Sequence, residues 1–417
     1  MTPEKQPKVV QKLLLRTLLL VIVLGGILIA IQRSREKDVS RNEKADTVGW
    51  ISAIEYKADG TEAVAIKPDM TIQRATGWQS GSQDRDLAWA PNGNFLFFIS
   101  DRTDKTFHVY RWNPQKTDAE IRTIGSRGRS SPSFKLHQEA DDLSMLLMSG
   151  GLVMEFDPSE RLQTQILPPT GREVTVGGEG DESGAQSQFT AIYGQIGNSF
   201  RVARWCGNDD HIAAIMRRDD GEVLVIQNMT PNADGAFQIP QLIAAGERIE
   251  LDVSQKNGDV VYTVVDFDFP GPPPPQFVKN GKVIKPFKNY LGVWSKDQPL
   301  PPPIVASPDD KNAFGSPAIH PSGDTVIIVV GPYKDGAIAR QGLYTFPVQP
   351  NSGAAGKPFA KGEIYEPSWD PTGKQLVFAR GEGENRTIYT VSSDGGSARN
   401  VTSKGRFGFP RFSPQTK

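Results

Sequence analysis

The residues able to carry acid–base, metal or nucleophilic chemistry are few and scattered. The chain has four histidines, His108, His137, His211 and His320. None stands in an H-E-x-x-H motif or has a second histidine at helical spacing, the arrangement that zinc enzymes use. No G-x-S-x-G motif places a serine nucleophile on a strand–helix turn. The glycine-rich run 177–184 is acidic and lacks the lysine of a phosphate-binding loop. These patterns predict no catalytic residue, no cofactor and no metal ligand.

Structural roles are also expected for the single cysteine and for a pair of aspartates. Cys206 is the single cysteine and follows Trp205, which predicts a small core residue rather than a nucleophile. Asp266 and Asp268, in VVDFDFP, have the spacing to touch a cation. A lone D-x-D is a weak signal, so we expect both to be solvated carboxylates at the end of a strand.

The stretch 366–380, EPSWDPTGKQLVFAR, is typical of two strands joined by a tight turn. Pro371 presets φ at about −65°, and Gly373 accepts a positive φ. Further strand patterns follow at 386–391 and 398–402. Four antiparallel strands within about 40–50 residues are the size of one propeller blade.

The same phrase recurs along the chain. An aromatic or aliphatic residue before each turn marks its position: Tyr56, Trp89, Phe134, Trp205, Val253, Ile319, Trp369 and Phe412. Every step between marks has room for one blade except the first, which holds only three strands, at 51–56, 61–66 and 71–75. The last, partial copy of the motif, PRFSP at 410–414, is not followed by the strands of another blade. We therefore predict an all-β propeller of four-stranded antiparallel blades whose last strand completes the first blade. Seven blades are favoured, with six or eight as the alternatives.

The tryptophan and phenylalanine residues of the phrase are expected in the core, because neighbouring blades pack through those positions. His320 takes the turn position that Asp370 and Ser413 occupy in sister copies. A structural role is therefore predicted for His320.

The repeat PSWDPTGKQLVFAR, followed by RTIYTVSSDGGSARNVTS, resembles the TolB-type, WD-like propeller repeat of bacterial periplasmic and surface proteins. The resemblance covers about residues 50–414 but not the small α/β domain that precedes the propeller in TolB. It implies non-covalent protein binding. The same repeat also forms the propeller of dipeptidyl-peptidase-type hydrolases, which need an α/β domain with a G-x-S-x-G elbow that this sequence lacks.

The segment 13–31, LLLRTLLLVIVLGGILIAI, is apolar apart from Arg16. A bilayer core of about 30 Å needs about 20 helical residues, so the segment is long enough to span it. Its end lacks the small-x-small pattern of a cleavage site, which favours an uncleaved transmembrane signal anchor over a cleaved signal peptide. We predict a short cytoplasmic tail at 1–12, a polar stalk at 32–47 and the propeller at 48–417. This makes a single-pass inner-membrane protein with its propeller on the periplasmic or extracellular side.

Charge excludes one class of partner. Nine of the 47 basic residues and five of the 48 acidic residues lie in 1–46, so the remainder has a net charge of −5. Such a domain has no basic field for nucleic acid.

Two insertions, at about 170–200 and 270–303, interrupt the repeats. The second contains FVKNGKVI between proline runs, and Asn-Gly between short apolar runs predicts a hairpin. We predict a partner-binding loop at Phe277, Lys279, Asn280, Gly281 and Lys282. The alternative is that the proline runs are rigid spacers.

Together these patterns predict a non-catalytic, protein-binding scaffold of the cell envelope without a cofactor. The alternative is a propeller whose central channel binds or hydrolyses a small ligand or glycan. Such a site needs several carboxylate, asparagine or histidine side chains that meet at the channel.

Overall fold

The computed structural model describes fifteen stretches of the chain. They are residues 48–121, 133–134, 145–149, 152–157, 162–168, 199–233, 237–266, 278–280, 282–283, 289–297, 304–306, 312–334, 337–349, 356–383 and 385–414. The predicted tail, span and stalk at 1–47 lie outside them. Within these stretches no helix is long and apolar enough to cross a bilayer.

Seven antiparallel four-stranded sheets form the blades of a β-propeller, as predicted. The first blade contains β1 (Ile51–Lys57), β2 (Gly60–Ile66), β3 (Ile72–Arg74) and the last strand of the chain, β31 (Phe407–Phe412). The second contains β4 (Asp84–Trp89), β5 (Leu96–Ser100), β6 (His108–Trp112) and β7 (Ala119–Ile121). The third contains β8 (Ser133–Phe134), β9 (Met145–Ser149), β10 (Leu152–Asp157) and β11 (Leu162–Leu167).

The other four blades follow in chain order. Blade 4 contains β12 (Ser199–Cys206), β13 (His211–Arg218), β14 (Gly221–Asn228) and β15 (Gln241–Gly246). Blade 5 contains β16 (Arg248–Val253), β17 (Val260–Val265), β20 (Asn289–Trp294) and β21 (Ile304–Ala306), with the hairpin β18 (Val278–Lys279) and β19 (Lys282–Val283) inserted. Blade 6 contains β22 (Asn312–Ile319), β23 (Thr325–Lys334), β25 (Gly342–Pro347) and β26 (Lys357–Lys361), and β24 (Ala337–Ile338) pairs with β23. Blade 7 contains β27 (Ile364–Trp369), β28 (Gln375–Arg380), β29 (Thr387–Ser392) and β30 (Arg399–Asn400).

The ring closes where β31 pairs with β1, with Ile51 opposite Phe412 and Glu55 opposite Phe407. The predicted closure by the C-terminal strand is confirmed. Tyr56 lies on β1, the second strand of its blade, as expected for a first blade whose innermost strand is the last strand of the chain. The turn phrase marks any strand–turn–strand unit, so it does not distinguish the first pair of strands in a blade from the second.

The core consists of seven apolar clusters among the described residues, one at each interface between neighbouring blades. Side chains alternate across a strand, so Val64 and Ile66 pack towards blade 7 while Ala63 and Ala65 pack towards blade 2. Strands buried on both faces need nearly continuous apolar runs, such as VVYTVV in β17.

The repeated tryptophans pack at these interfaces, as predicted. Trp89 and Trp205 are 8% and 4% exposed. The indole N–H of Trp89 donates to the Arg411 carbonyl at 3.3 Å, and that of Trp369 donates to the Ala318 carbonyl at 3.2 Å. Both bonds reach the innermost strand of the preceding blade, so the residue that fills the interface also fixes its register.

Carboxylates form links in the opposite direction round the ring. In four places a side-chain oxygen accepts a backbone N–H from the next blade: Glu222 from Ile249, Glu250 from Ser316, Asp252 from Ile319 and Glu366 from Phe409. Asp84 makes the equivalent bond to Ala63 in the preceding blade at 2.9 Å. Hydrogen bonds to an ionised carboxylate are about twice as strong as neutral ones, so these contacts tie successive blades together.

The turn at 370–373 shows why glycine is needed in the phrase. Gly373 has φ +70° and donates its N–H to the Asp370 carbonyl at 3.0 Å. A Cβ there would lie 2.2 Å from His320 Nε2, whose N–H donates to the Gly373 carbonyl at 3.0 Å. His320 also packs edge-on against Trp369, with 4.8 Å between ring centroids. The structural role predicted for His320 is confirmed.

Gly373→Ala should lower the free energy of unfolding by about 2–4 kcal/mol, because it combines a left-handed backbone with a clash against the imidazole. Gly383→Ala is the matched control, since Gly383 has φ +53° but no heavy atom within 4 Å of an added Cβ. It should cost only the backbone penalty of about 1 kcal/mol. Urea unfolding of both variants measures the difference, and equal losses would contradict the packing of His320 on this turn.

Candidate binding surface on the entry face

In blades 2 to 7 each innermost strand begins at one rim of the ring and leads to the second strand at the other rim. We call the rim where the innermost strands begin the entry face and the opposite rim the exit face. The second strands end, and the third strands begin, at the entry face. This face carries two groups of charged and aromatic side chains.

The first group is an alternating stack of three arginines and two tyrosines across blades 6, 7 and 1, which we call the Arg–Tyr ladder. The guanidinium carbon of Arg340 lies 4.4 Å from the Tyr365 ring centroid, and that of Arg386 lies 4.5 Å from the same ring. Arg386 also lies 5.1 Å from the Tyr56 ring, and Arg406 lies 5.0 Å from it. All four distances are within the range of cation–π attraction.

The ladder is held in place by neighbouring bonds. The Tyr365 hydroxyl donates to Glu363 at 3.1 Å, and burial, with the Glu363 carboxylate, raises the pKa of Tyr365. Burial, with the Glu366 carboxylate, likewise raises the pKa of Tyr56. Both phenols therefore stay neutral at physiological pH. The Nε atoms of Arg340 and Arg386 are buried and have no hydrogen-bond partner among the described residues, so ring stacking does much to hold these guanidinium planes.

Phe409 lies beside the ladder and is 47% exposed. Its φ is +53°, an unusual backbone conformation for a bulky residue, and its N–H donates to Glu366 at 2.9 Å. The register of β31 against β1 shifts here, and Pro410 follows without an N–H to pair. The bulge and the bond to Glu366 together hold a large aromatic ring in solvent.

The same bulge occurs in three other innermost strands. Asp86, Ser316 and Glu366 have φ between +46° and +56°, each at a register shift in β4, β22 or β27. A β-bulge bends its strand and redirects side chains. The bulge positions of these strands carry residues whose types differ from blade to blade.

The second group is an ion-pair network on blades 4 and 5. Arg201 contacts both carboxylate oxygens of Glu222 at 2.7 and 2.9 Å, and Arg248 lies 3.3 Å from Glu250. Burial acts to raise the pKa of Glu250, but Arg248 and the Ser316 N–H outweigh it and hold that pKa below its ordinary value. This network is satisfied internally, so it offers less to a partner than the ladder does.

The central channel contains Arg204, Asp252 and Arg411. All three lie on innermost strands, β12, β16 and β31, and their charges influence one another's pKa although β12 and β31 belong to blades that are not neighbours. Burial, with Arg411 alongside, lowers the pKa of Arg204 to about 10. Burial raises the pKa of Asp252, although the Ile319 N–H and Arg411 oppose it.

The described histidines are engaged elsewhere. His108 pairs with Asp104 at 2.9 Å, and His211 pairs with Asp210 at 2.6 Å. In the part of the chain that the structure describes, no group of three histidine, cysteine, aspartate or glutamate side chains is placed to hold a metal ion. Cys206 is fully buried between blades 4 and 5, and burial raises its pKa, which is the predicted core role.

The predicted hairpin forms, with Val278 opposite Val283 and Lys279 opposite Lys282. Asn280 has φ +52°, as the turn requires. Phe277 and Gly281 lie outside the described residues, and partner binding by this loop stays a prediction. The expectation for Asp266 was wrong: its side chain follows β17 and is 5% exposed, because it packs beside Gly246 on β15. Asp268 lies outside the described residues.

Comparison with known proteins concerns the fold. No protein-family model matches the chain, and no curated protein matches it. Among solved structures, TolB from Acinetobacter baumannii is 12% identical, with 88% of this chain and 67% of that chain covered and a TM-score of 0.47. An oligogalacturonate lyase in complex with manganese is 12% identical, with 86% of each chain covered and a TM-score of 0.46. A prolyl endopeptidase structure is 8% identical, with a TM-score of 0.50, and the match covers 90% of this chain but 54% of that one.

This chain has a seven-bladed β-propeller fold. The match to the endopeptidase structure at a TM-score of 0.50 and the seven blades carry that conclusion. At these identities the likeness extends to the fold and not to an activity.

The ladder of this propeller was missed in the sequence because its members come from three blades. A weak signal exists: Arg340 precedes the third strand of blade 6, and Arg386 precedes that of blade 7. A comparison of the loops before the third strands of blades 6 and 7 would have found these two arginines.

Glu250→Gln should lower the free energy of unfolding by about 1–2 kcal/mol at pH 7, because it removes the charge that Arg248 and the Ser316 N–H stabilise. The folded-state pKa of Glu250 is below its ordinary value of 4.5. The stabilisation is therefore complete above that value and is lost as the pH falls through the folded pKa. Urea unfolding between pH 7 and pH 3 should show the variant and the parent converge at the acid end. The exposed Glu382→Gln change is the control, and a pH-independent loss for Glu250→Gln would contradict the prediction.

Proposed function

We propose that this chain is a membrane-anchored, extracytoplasmic β-propeller that acts as a non-catalytic protein-binding scaffold in the cell envelope. The Arg–Tyr ladder and Phe409 form its partner-binding surface, and residues 13–31 are its membrane anchor. The observation that carries this proposal is the composition and geometry of the entry face.

Arginine, tyrosine and phenylalanine are enriched in the centres of protein interfaces. The ladder supplies three arginines that are half-buried and stacked, so little conformational freedom remains for them to lose on binding. Their partial desolvation strengthens any pairing with a carboxylate. Phe409 adds an apolar contact beside them. An acidic protein surface with an apolar centre is the partner that this chemistry favours.

The catalytic alternative has less support. Among the described residues, the charged groups that act on one another near the axis include Arg204, Asp252 and Arg411, which can hold an anion and offer the Asp252 carboxyl but no serine, cysteine or histidine. The described histidines bond to Asp104, Asp210 and Gly373 and are not part of that set. A central-channel reaction would also need a general acid or base with access to substrate.

The test is photocrosslinking with benzoylphenylalanine at position 409 of the full-length chain in membranes of its native host. The expected result is a covalent adduct with a distinct envelope protein. Arg386→Ala should weaken binding of that partner more than tenfold, because truncating a central interface arginine costs about 2 kcal/mol or more.

Arg217→Ala is the matched control, since Arg217 is an exposed arginine of the same face on blade 4. It should leave the adduct unchanged. Arg386→Lys keeps the charge but loses the planar stacking, and we expect it to weaken binding almost as much as alanine. An adduct that is equally strong in Arg386→Ala, or the absence of any adduct at position 409, would contradict the proposed surface.

A further inference from the structure

A second surface lies on the exit face, where blades 7 and 1 meet. A groove of about 390 Å³ opens there between the first turn of blade 7 and the turn that joins β2 to β3. Its apolar lining includes Met70, Val401 and Phe412, and its rim carries Lys67, Lys374 and Arg399. None of these residues belongs to the ladder or to the channel cluster.

Met70 is held in the groove in an unusual conformation. It is 42% exposed, has φ +70°, and with Phe409 is one of two exposed large hydrophobic residues in the described part of the chain. Two backbone hydrogen bonds hold the turn around it: the Met70 N–H donates to the Lys67 carbonyl and the Lys67 N–H donates to the Thr71 carbonyl, both at 2.9 Å. The left-handed region is strained for a non-glycine residue, and here the result is an apolar side chain presented to solvent.

The lining of the groove has a net positive charge, with Lys67, Lys374 and Arg399 against one carboxylate. Within the described residues, no carboxylate lies within 4 Å of Lys67, Lys374 or Arg399. The one acidic wall residue, Asp370, already accepts the Gln375 N–H at 2.9 Å and the Thr372 hydroxyl at 2.7 Å. The groove therefore combines an apolar floor with a basic rim.

We propose that this groove binds an acidic peptide segment of another protein, with one apolar side chain of that segment seated on Met70 and Phe412. The basic rim pairs with carboxylates on either side of the apolar anchor. Charge complementarity favours this occupant over the alternatives. The three cations at the rim repel a basic segment, and a purely apolar segment gives them no carboxylate to pair with. The site is separate from the entry face, so the propeller has a binding surface on each rim.

The test is a selection of short random peptides displayed on phage. The target is the full-length protein, solubilised in detergent and immobilised. The expected consensus is an aliphatic or aromatic residue flanked by aspartate or glutamate. A fluorescein-labelled copy of the selected peptide is then titrated by fluorescence polarisation. The double change Lys374→Glu and Arg399→Glu should raise its Kd by about tenfold or more, and Met70→Ala should raise it severalfold.

Lys116→Glu is the charge-reversal control at a distant site, since Lys116 is an exposed lysine in the β6–β7 turn of blade 2. It should leave the Kd unchanged, as should Arg386→Ala, so that failure of the entry-face proposal is distinguished from failure of this one. Unchanged circular dichroism and melting temperature verify that each variant folds. No enriched peptide, a basic consensus, or a Kd that ignores Lys374→Glu and Arg399→Glu would overturn the proposal. Self-association of the chain that these changes abolish, measured by sedimentation velocity, would also overturn it.

Discussion

The pairing of β31 with β1 is the contact on which the rest of the molecule depends. It joins the two ends of the propeller, so the entropy of closing a loop of more than three hundred residues is lost in one step. In return the first blade gains its innermost strand, and the ring has no unpaired edge at the junction. The same strand supplies functional groups at three levels: Phe409 at the entry face, Arg411 in the channel and Phe412 in the exit-face groove. Both proposed binding surfaces therefore require the closed ring.

Closure alone does not make a rigid disc, because each blade contacts only its two neighbours. The apolar clusters at the seven interfaces supply most of the favourable free energy, through burial of strand faces on both sides. Directional bonds then fix how the blades meet. The indole of Trp369 reaches back one blade, and the carboxylate of Glu366 reaches forward one blade. Since both kinds of bond lie close to the axis, they hold the innermost strands, and with them the bulged residues, at constant spacing.

The repeated strand–turn–strand motif was enough to predict most of the fold. The motif can be recognised in the sequence because it depends on residues that are close along the chain. Trp369 supplies a packed ring, and Pro371 and Gly373 supply a turn. Closure by the last strand was also predictable, since 410–414 had no blade to begin. The burial of Asp266 depends on Gly246, a residue of another blade that comes close only in the folded chain. The ladder depends likewise on contacts among Arg340, Arg386 and Arg406 that no local pattern encodes.

Hydrogen exchange of the native full-length protein, followed by mass spectrometry, tests the closure of the ring most directly. Peptides that cover β31 and β1 should exchange as slowly as those from β13 and β14 in blade 4, because their amides are released only when the ring opens. Exchange of β31 within seconds, while blade 4 stays protected, would show that the C-terminal strand does not close the ring. That result would remove the physical basis for a binding surface at either rim of this junction.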